Sequence, residues 1–132
     1  MSNKRHILVV EDEPTVAAVL VRLLGVTNTA VAVPTLQRAI SSYTLGAYDL
    51  IVLDLNLPDS LGIATYEKLR AEVGPNTPIL ICTGITVDSL PPIFDPLFPP
   101  GILEKTADNF LDTLRLIDVQ LDKLLGRFHD EQ

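Results

Sequence analysis

The chain has no tryptophan, one cysteine and one methionine, and aromatic residues make up only 5% of its 132 positions. Any core must therefore be built from Val, Leu and Ile. The lone Cys82 cannot form an internal disulfide, and its apolar neighbours make it a small core residue. Positive charge is also scarce: ten Lys and Arg stand against seventeen Asp and Glu, for a net charge of −7. That balance argues against nucleic acid or an anionic membrane as a direct partner. Long hydrophobic runs are missing too. Ile7–Val10 falls far short of the roughly 20 residues a membrane span needs, and of a signal peptide's apolar region. A cytoplasmic protein is the expectation. What the chain does have is aliphatic bulk, 47% apolar against 20% charged, which marks a globular fold with a single core.

The aliphatic residues follow two kinds of pattern. Ile7-Leu8-Val9-Val10 is an unbroken apolar run, as a strand covered on both faces requires, and Leu50 to Leu55 is another that an acid, Asp54, interrupts. Ala30–Val33 is weaker and suits an edge, and Pro78–Thr83 and Gly101–Lys105 complete five strands. Between them the spacing becomes helical. Pro14 opens a helix that carries Val16, Val19, Leu20, Leu23 and Leu24 and ends at Gly25. Leu36 to Leu45 forms a second, closed by Gly46. A third follows Gly62, with Ile63, Tyr66, Leu69 and Val73 on one face, and finishes before Gly74-Pro75. Thr106 caps a last helix striped by Phe110, Leu114, Ile117, Leu121 and Leu124, which Gly126 ends.

Strands alternating with helices through short connections predict an α/β fold, a parallel sheet covered on both faces. One domain is expected over residues 1–126, with 127–132 a polar tail. Segment 86–100 breaks the alternation. Five of the ten prolines fall between 91 and 100, and each interior proline costs a helix roughly 3 kcal/mol. The fourth helix is therefore expected to be short or replaced by a Pro-rich loop. Its Ile93, Phe94, Leu97 and Phe98 either return to the sheet or form a binding patch.

In such a sheet the carboxyl ends of the strands share one rim, where ligands bind. The strand-terminal residues here are Glu11 and Asp12, Asp54, Thr83 and Lys105. Each has an ordinary alternative: helix-start acids for the first pair, a strand-end cap for Thr83, simple exposure for Lys105. Asp54 is hardest to dismiss, because a carboxylate inside an apolar run is costly without a partner. Two carboxylates about 4 Å apart repel by roughly 4 kcal/mol at the effective dielectric of a protein surface. Such a cluster calls for a proton or a cation, and oxygen ligands with room for water suit Mg²⁺ or Mn²⁺. A carboxylate beside such an ion, faced by a lysine and a hydroxyl, can receive a phosphoryl group. One oxygen of Asp54 attacks in line while the metal and Lys105 offset the developing charge.

These motifs resemble one family over nearly the whole chain. Val9-Val10-Glu11-Asp12-Glu13-Pro14 looks like the first acidic pair of the receiver domain of bacterial two-component response regulators. Asp54-Leu55-Asn56-Leu57-Pro58-Asp59-Ser60-Leu61-Gly62 resembles its phosphoacceptor loop, Thr83-Gly84 its switch hydroxyl and following small residue, and Lys105 its lysine. The resemblance implies a flavodoxin-like, doubly wound five-stranded parallel sheet of order 2-1-3-4-5. It further implies that Asp54 accepts a phosphoryl group from a sensor histidine kinase or a phosphotransfer protein, as in a phosphorelay. Mg²⁺ (or Mn²⁺) would be held by Asp12, Asp54 and the backbone carbonyl of Asn56, with Glu11 acting through water. Thr83 would swing to the phosphoryl group, and the output partner would engage 86–104 and the last helix. Such a domain is not an enzyme beyond slow self-dephosphorylation.

Three departures bear on how phosphorylation is reported. Thr106 follows Lys105 where the family has proline and a cis bond, and cis without proline costs about 3–4 kcal/mol; trans, or a strained cis bond, is expected. Ile102 stands where the family carries an aromatic ring, and the Pro-rich segment stands where it carries a helix. They motivate a rival, an interaction module of receiver fold that signals without phosphorylation. A third reading, a phosphohydrolase with Asp54 as nucleophile, would need a general acid where Asn56 cannot donate a catalytic proton.

Overall fold

Apolar runs too short for helices become strands, and the stretches of helical spacing between them become helices. The computed structural model describes residues 5–26, 28–46, 48–83 and 102–104, with 82, 83 and 102–104 placed as backbone. The strands are β1 (His6–Val10), β2 (Thr29–Val33), β3 (Leu50–Leu53), β4 (Asn56–Leu57), β5 (Ser60–Leu61), β6 (Ile79–Thr83) and β7 (Ile102–Glu104). The helices are α1 (Pro14–Leu24), α2 (Leu36–Leu45) and α3 (Ile63–Val73).

Five strands form one wholly parallel sheet in the order β2-β1-β3-β6-β7. This is the expected 2-1-3-4-5 arrangement, because β4 and β5 make a separate antiparallel ribbon that does not join the sheet. Side chains alternate across the strands, as the pleat requires. Leu8, Val10, Ile51, Leu53 and Ile81 pack with Leu36 and Ala39 of α2 and Tyr66, Leu69 and Val73 of α3. Ile7, Val9, Leu50, Val52 and Leu80 face the other way, with Leu20 and Leu24 of α1. Among the described residues, no helix is long and apolar enough to cross a membrane.

A strand end and a buried stripe differ from expectation in ways that bear on the packing. β3 ends at Leu53 and not at Leu55; Leu55 is fully buried but lies outside the ladder, so burial extended the apolar run beyond the strand. In α1, Leu23 is 40% exposed, and the buried stripe narrows to Leu20 and Leu24. The Cys82 side chain, the 86–100 segment, the 106–126 helix and the Lys105–Thr106 bond lie outside what is described.

The helix starts show which polar residues serve the backbone. Glu13 caps α1: it is extended, with φ −77° and ψ 114°, and its carboxylate accepts the Thr15 N–H at 2.9 Å. The acid that caps is therefore Glu13, and Glu11 and Asp12 precede it. At α2, Thr35 Oγ1 accepts the Arg38 N–H at 3.1 Å. Gly62 precedes α3 at φ 72°, a region that favours glycine. A Cβ there would meet nothing within 4 Å, so backbone conformation, and not crowding, is what a substitution would offend.

Polar side chains tie the far ends of α2 and α3 together. The Arg70 guanidinium of α3 donates to the carbonyls of Gly74 at 2.8 Å and Thr77 at 2.7 Å. The Tyr43 hydroxyl of α2 pairs with Thr77 Oγ1 at 2.6 Å. These bonds satisfy the turn leading into β6, where buried backbone groups would otherwise be costly.

Candidate functional site

The site begins in the register of two central strands. Val10 of β1 pairs with Leu53 of β3, so the residues that follow, Glu11 and Asp54, emerge side by side at the carboxyl rim. The Asp54 N–H donates to the Val10 carbonyl at 3.0 Å, and the Glu11 N–H donates to the Val33 carbonyl at 3.0 Å. Asp12 follows at once. Carboxylate oxygens of Glu11, Asp12 and Asp54 lie within 4.8 Å of one another.

Glu11 and Asp54 are buried, at 4% and 5% exposure, while Asp12 is exposed. Backbone donors set the two buried carboxylates: Glu11 Oε2 accepts the Glu13 N–H at 3.2 Å, and Asp54 Oδ1 accepts the Asn56 N–H at 3.1 Å. Buried charge is tolerated only with hydrogen bonds or a counter-charge. The donor set is all oxygen and all anionic, with two acids fixed below the surface and one open to solvent. That fits a small hard cation that keeps several waters, such as Mg²⁺ or Mn²⁺.

Thr83 ends β6 and pairs with Glu104 of β7, and Ile81 of β6 pairs with Leu53. The topology thus carries the ends of β6 and β7 to the rim that holds Asp54. The Thr83 side chain and Lys105 lie outside the described residues. Asn56 is exposed on β4.

Asp54 leads into a hairpin whose anchoring has no local signature in the sequence. The Gly62 N–H donates to the Leu55 carbonyl at 2.7 Å. The fully buried Thr65 of α3 donates its hydroxyl to Ser60 Oγ at 2.9 Å. Asp59 reaches α2, accepting the Leu36 N–H on Oδ1 at 2.9 Å and the Gln37 N–H on Oδ2 at 3.0 Å. A turn-rich segment read as such gives no hint of a partner more than twenty residues upstream. Partial burial pushes the Asp59 carboxyl up, but the N–H groups of Leu36, Gln37 and Asp59 itself, with the Lys68 charge, outweigh it and hold the group below its ordinary value. A depressed folded-state value means stability that is present above the unfolded value, near 4, and lost as pH falls through the folded one. Asp59→Asn is therefore expected to lower stability at pH 6–8, where the wild-type carboxylate contributes, and to converge on wild type as pH falls below about 4, as read by urea unfolding across pH.

The family model for the response regulator receiver domain matches residues 7–90. The chain belongs to that family, whose members are signalling modules of two-component systems. A CheY-like receiver domain from Methylobacillus flagellatus is 26% identical, with a TM-score of 0.70 over 89% of this chain and 99% of that one. The BeF3-activated N-terminal receiver domain of RstA from Klebsiella pneumoniae is 27% identical, with a TM-score of 0.62 over 84% and 96%. TrrA from Thermotoga maritima, solved in complex with Mg²⁺-BeF, shares the fold at 21% identity and a TM-score of 0.70 over 92% and 99%. No curated protein is significantly similar to the chain.

Proposed function

We propose that this receiver domain, spanning residues 1–126, takes a phosphoryl group onto Asp54 from the phosphohistidine of a sensor kinase or a phosphotransfer protein in the cytoplasm. The observation that carries this reading is the meeting of Glu11, Asp12 and Asp54 within 4.8 Å, at the rim where β1 and β3 end. Asp12, Asp54 and the Asn56 carbonyl would hold Mg²⁺, with Glu11 acting through water. When bound, the ion supplies positive charge to the phosphoryl oxygens.

The chain's own groups do the rest. The Asn56 N–H on Oδ1 orients the Asp54 carboxylate, which limits the conformers it must give up on reacting. A carboxylate oxygen forms the new P–O bond as the donor's P–N bond breaks. The leaving imidazole nitrogen keeps the electron pair and takes a proton from solvent. Thr83 and Lys105 are assigned to the phosphoryl oxygens, where a hydroxyl and an ammonium stabilise added negative charge. Asn56 in place of a second acid supports a phosphoprotein that turns over slowly, and not a hydrolase.

Incubation with acetyl phosphate and MgCl₂, read by intact mass, is expected to add one phosphoryl group, and EDTA to prevent it. No addition from acetyl phosphate or from a phosphorylated kinase would favour the phosphorylation-independent module.

A further inference from the structure

Asp59 lies at the exposed tip of the hairpin that follows the acceptor, yet both of its carboxylate oxygens are committed to a different element. Oδ1 accepts the Leu36 N–H at 2.9 Å and Oδ2 the Gln37 N–H at 3.0 Å, the first two amides of α2. The hairpin needs such an anchor. Its strands β4 and β5 are two residues each, pairing Asn56 with Leu61 and Leu57 with Ser60, and an isolated ribbon of that length does not hold itself. The base is tied by Gly62 to Leu55, and the returning strand by Thr65 to Ser60. The outgoing strand, which carries Asn56, is held by its pairing with β5 and by the buried Leu57, and the tip adds its hydrogen bonds to α2. Asn56 in turn donates its N–H to Asp54 Oδ1 at 3.1 Å. A connected path of hydrogen bonds and backbone thus runs from the α2 amides through Asp59 and Asn56 to the acceptor carboxylate.

We propose that Asp59 is a positioning residue for the acceptor site: by clasping the hairpin tip to α2 it fixes Asn56, and through Asn56 the Asp54 carboxylate, in the attitude that cation binding requires. The inference rests on the phosphoacceptor reading for its purpose, but not for its test. Two plainer roles compete. Asp59 could act only as a cap that stabilises α2, or only as one more negative charge near the acids.

Three variants separate these roles. Asp59→Ala removes the clasp and the charge, and Asp59→Asn removes the charge and keeps one of the clasp's two acceptor oxygens. Thr35→Ala removes the neighbouring cap on Arg38 without touching the hairpin. Mg²⁺ binding is measured by calorimetric titration, and Asn56 amide exchange by NMR in metal-free buffer. Asp59→Ala is expected to weaken Mg²⁺ binding roughly ten-fold, with Asp59→Asn between it and wild type, since partners behind a metal ligand commonly act on this scale. Asn56 exchange should quicken in Asp59→Ala and stay unchanged in Thr35→Ala.

If Asp59→Asn and Asp59→Ala bind equally weakly while Asn56 exchange stays at the wild-type rate in both, charge alone is responsible and the positioning role is lost. If Thr35→Ala reproduces Asp59→Ala, the effect is helix stability and the role is lost again. Equal Asn56 exchange in wild type and Asp59→Ala overturns the inference even if no metal binds. A wild type that binds Mg²⁺ but takes up no phosphoryl group overturns the phosphoacceptor reading and leaves this one standing.

Discussion

Asp54→Asn should abolish phosphoryl uptake from acetyl phosphate, by at least about a hundred-fold, while the protein stays folded. The size follows from the chemistry: an amide oxygen is a far poorer nucleophile than a carboxylate, and no covalent acceptor replaces it. That the fold should survive follows from position. Asp54 stands just past the end of β3, and its backbone N–H, not its side chain, makes the bond to Val10. Asparagine also keeps an oxygen for the Asn56 N–H that Oδ1 now accepts. Asp54→Ala removes that acceptor as well, so it should lose uptake equally and loosen the hairpin besides. Intact mass after incubation with acetyl phosphate and MgCl₂ checks the first point, and far-UV circular dichroism the second. Full uptake in Asp54→Asn would move the acceptor elsewhere and remove the chemical reason for the acid cluster.

Much of this arrangement was legible in the chain because burial on both faces leaves an unmistakable mark. β1 and β3 are unbroken aliphatic runs, and each stops at an acid, so the ends of two central strands could be read directly. That Glu11 and Asp54 would be neighbours was less accessible. It depends on β3 lying beside β1 in the register Val10 to Leu53, an order that alternation of elements does not determine and that only resemblance supplied.

The same signal misled where burial and hydrogen bonding part company. Leu55 is buried outside the ladder, and periodicity cannot see that a loop residue has turned inward. Leu23 fits the helical stripe of α1 but is 40% exposed. The three acids Glu11, Asp12 and Glu13 look alike as helix-start residues, and geometry alone makes Glu13 the cap. Asp59 and Thr65 left no trace, because their partners are chosen by tertiary approach and not by spacing. Ser60 and Thr65 both read as ordinary polar residues of a turn and a helix, yet they form a buried pair.

Metal should reverse the stability order of wild type and Asp12→Asn. Without a divalent ion, three carboxylates within 4.8 Å oppose one another. Removing the exposed one relieves a repulsion between about 1 kcal/mol in water and about 4 kcal/mol at the effective dielectric of a protein surface. Asp12→Asn should therefore melt higher than wild type in EDTA, by about 3–5 °C for each kcal/mol in a domain of this size. With Mg²⁺ the same acid becomes a ligand. A cation that binds only the folded state adds about 1.4 kcal/mol at ten times its Kd and about 4.1 kcal/mol at a thousand times, which raises the wild-type Tm by roughly 4–7 °C and then by roughly 12–20 °C. Asp12→Asn should gain little of this, so the two melting curves exchange places as MgCl₂ is titrated in. NaCl at matched ionic strength should not reproduce the crossing, because screening weakens repulsion without occupying the site. Parallel responses of the two proteins to MgCl₂ would mean that Asp12 is no ligand, and equal melting in EDTA would mean that the acids do not strain one another when the ion is gone.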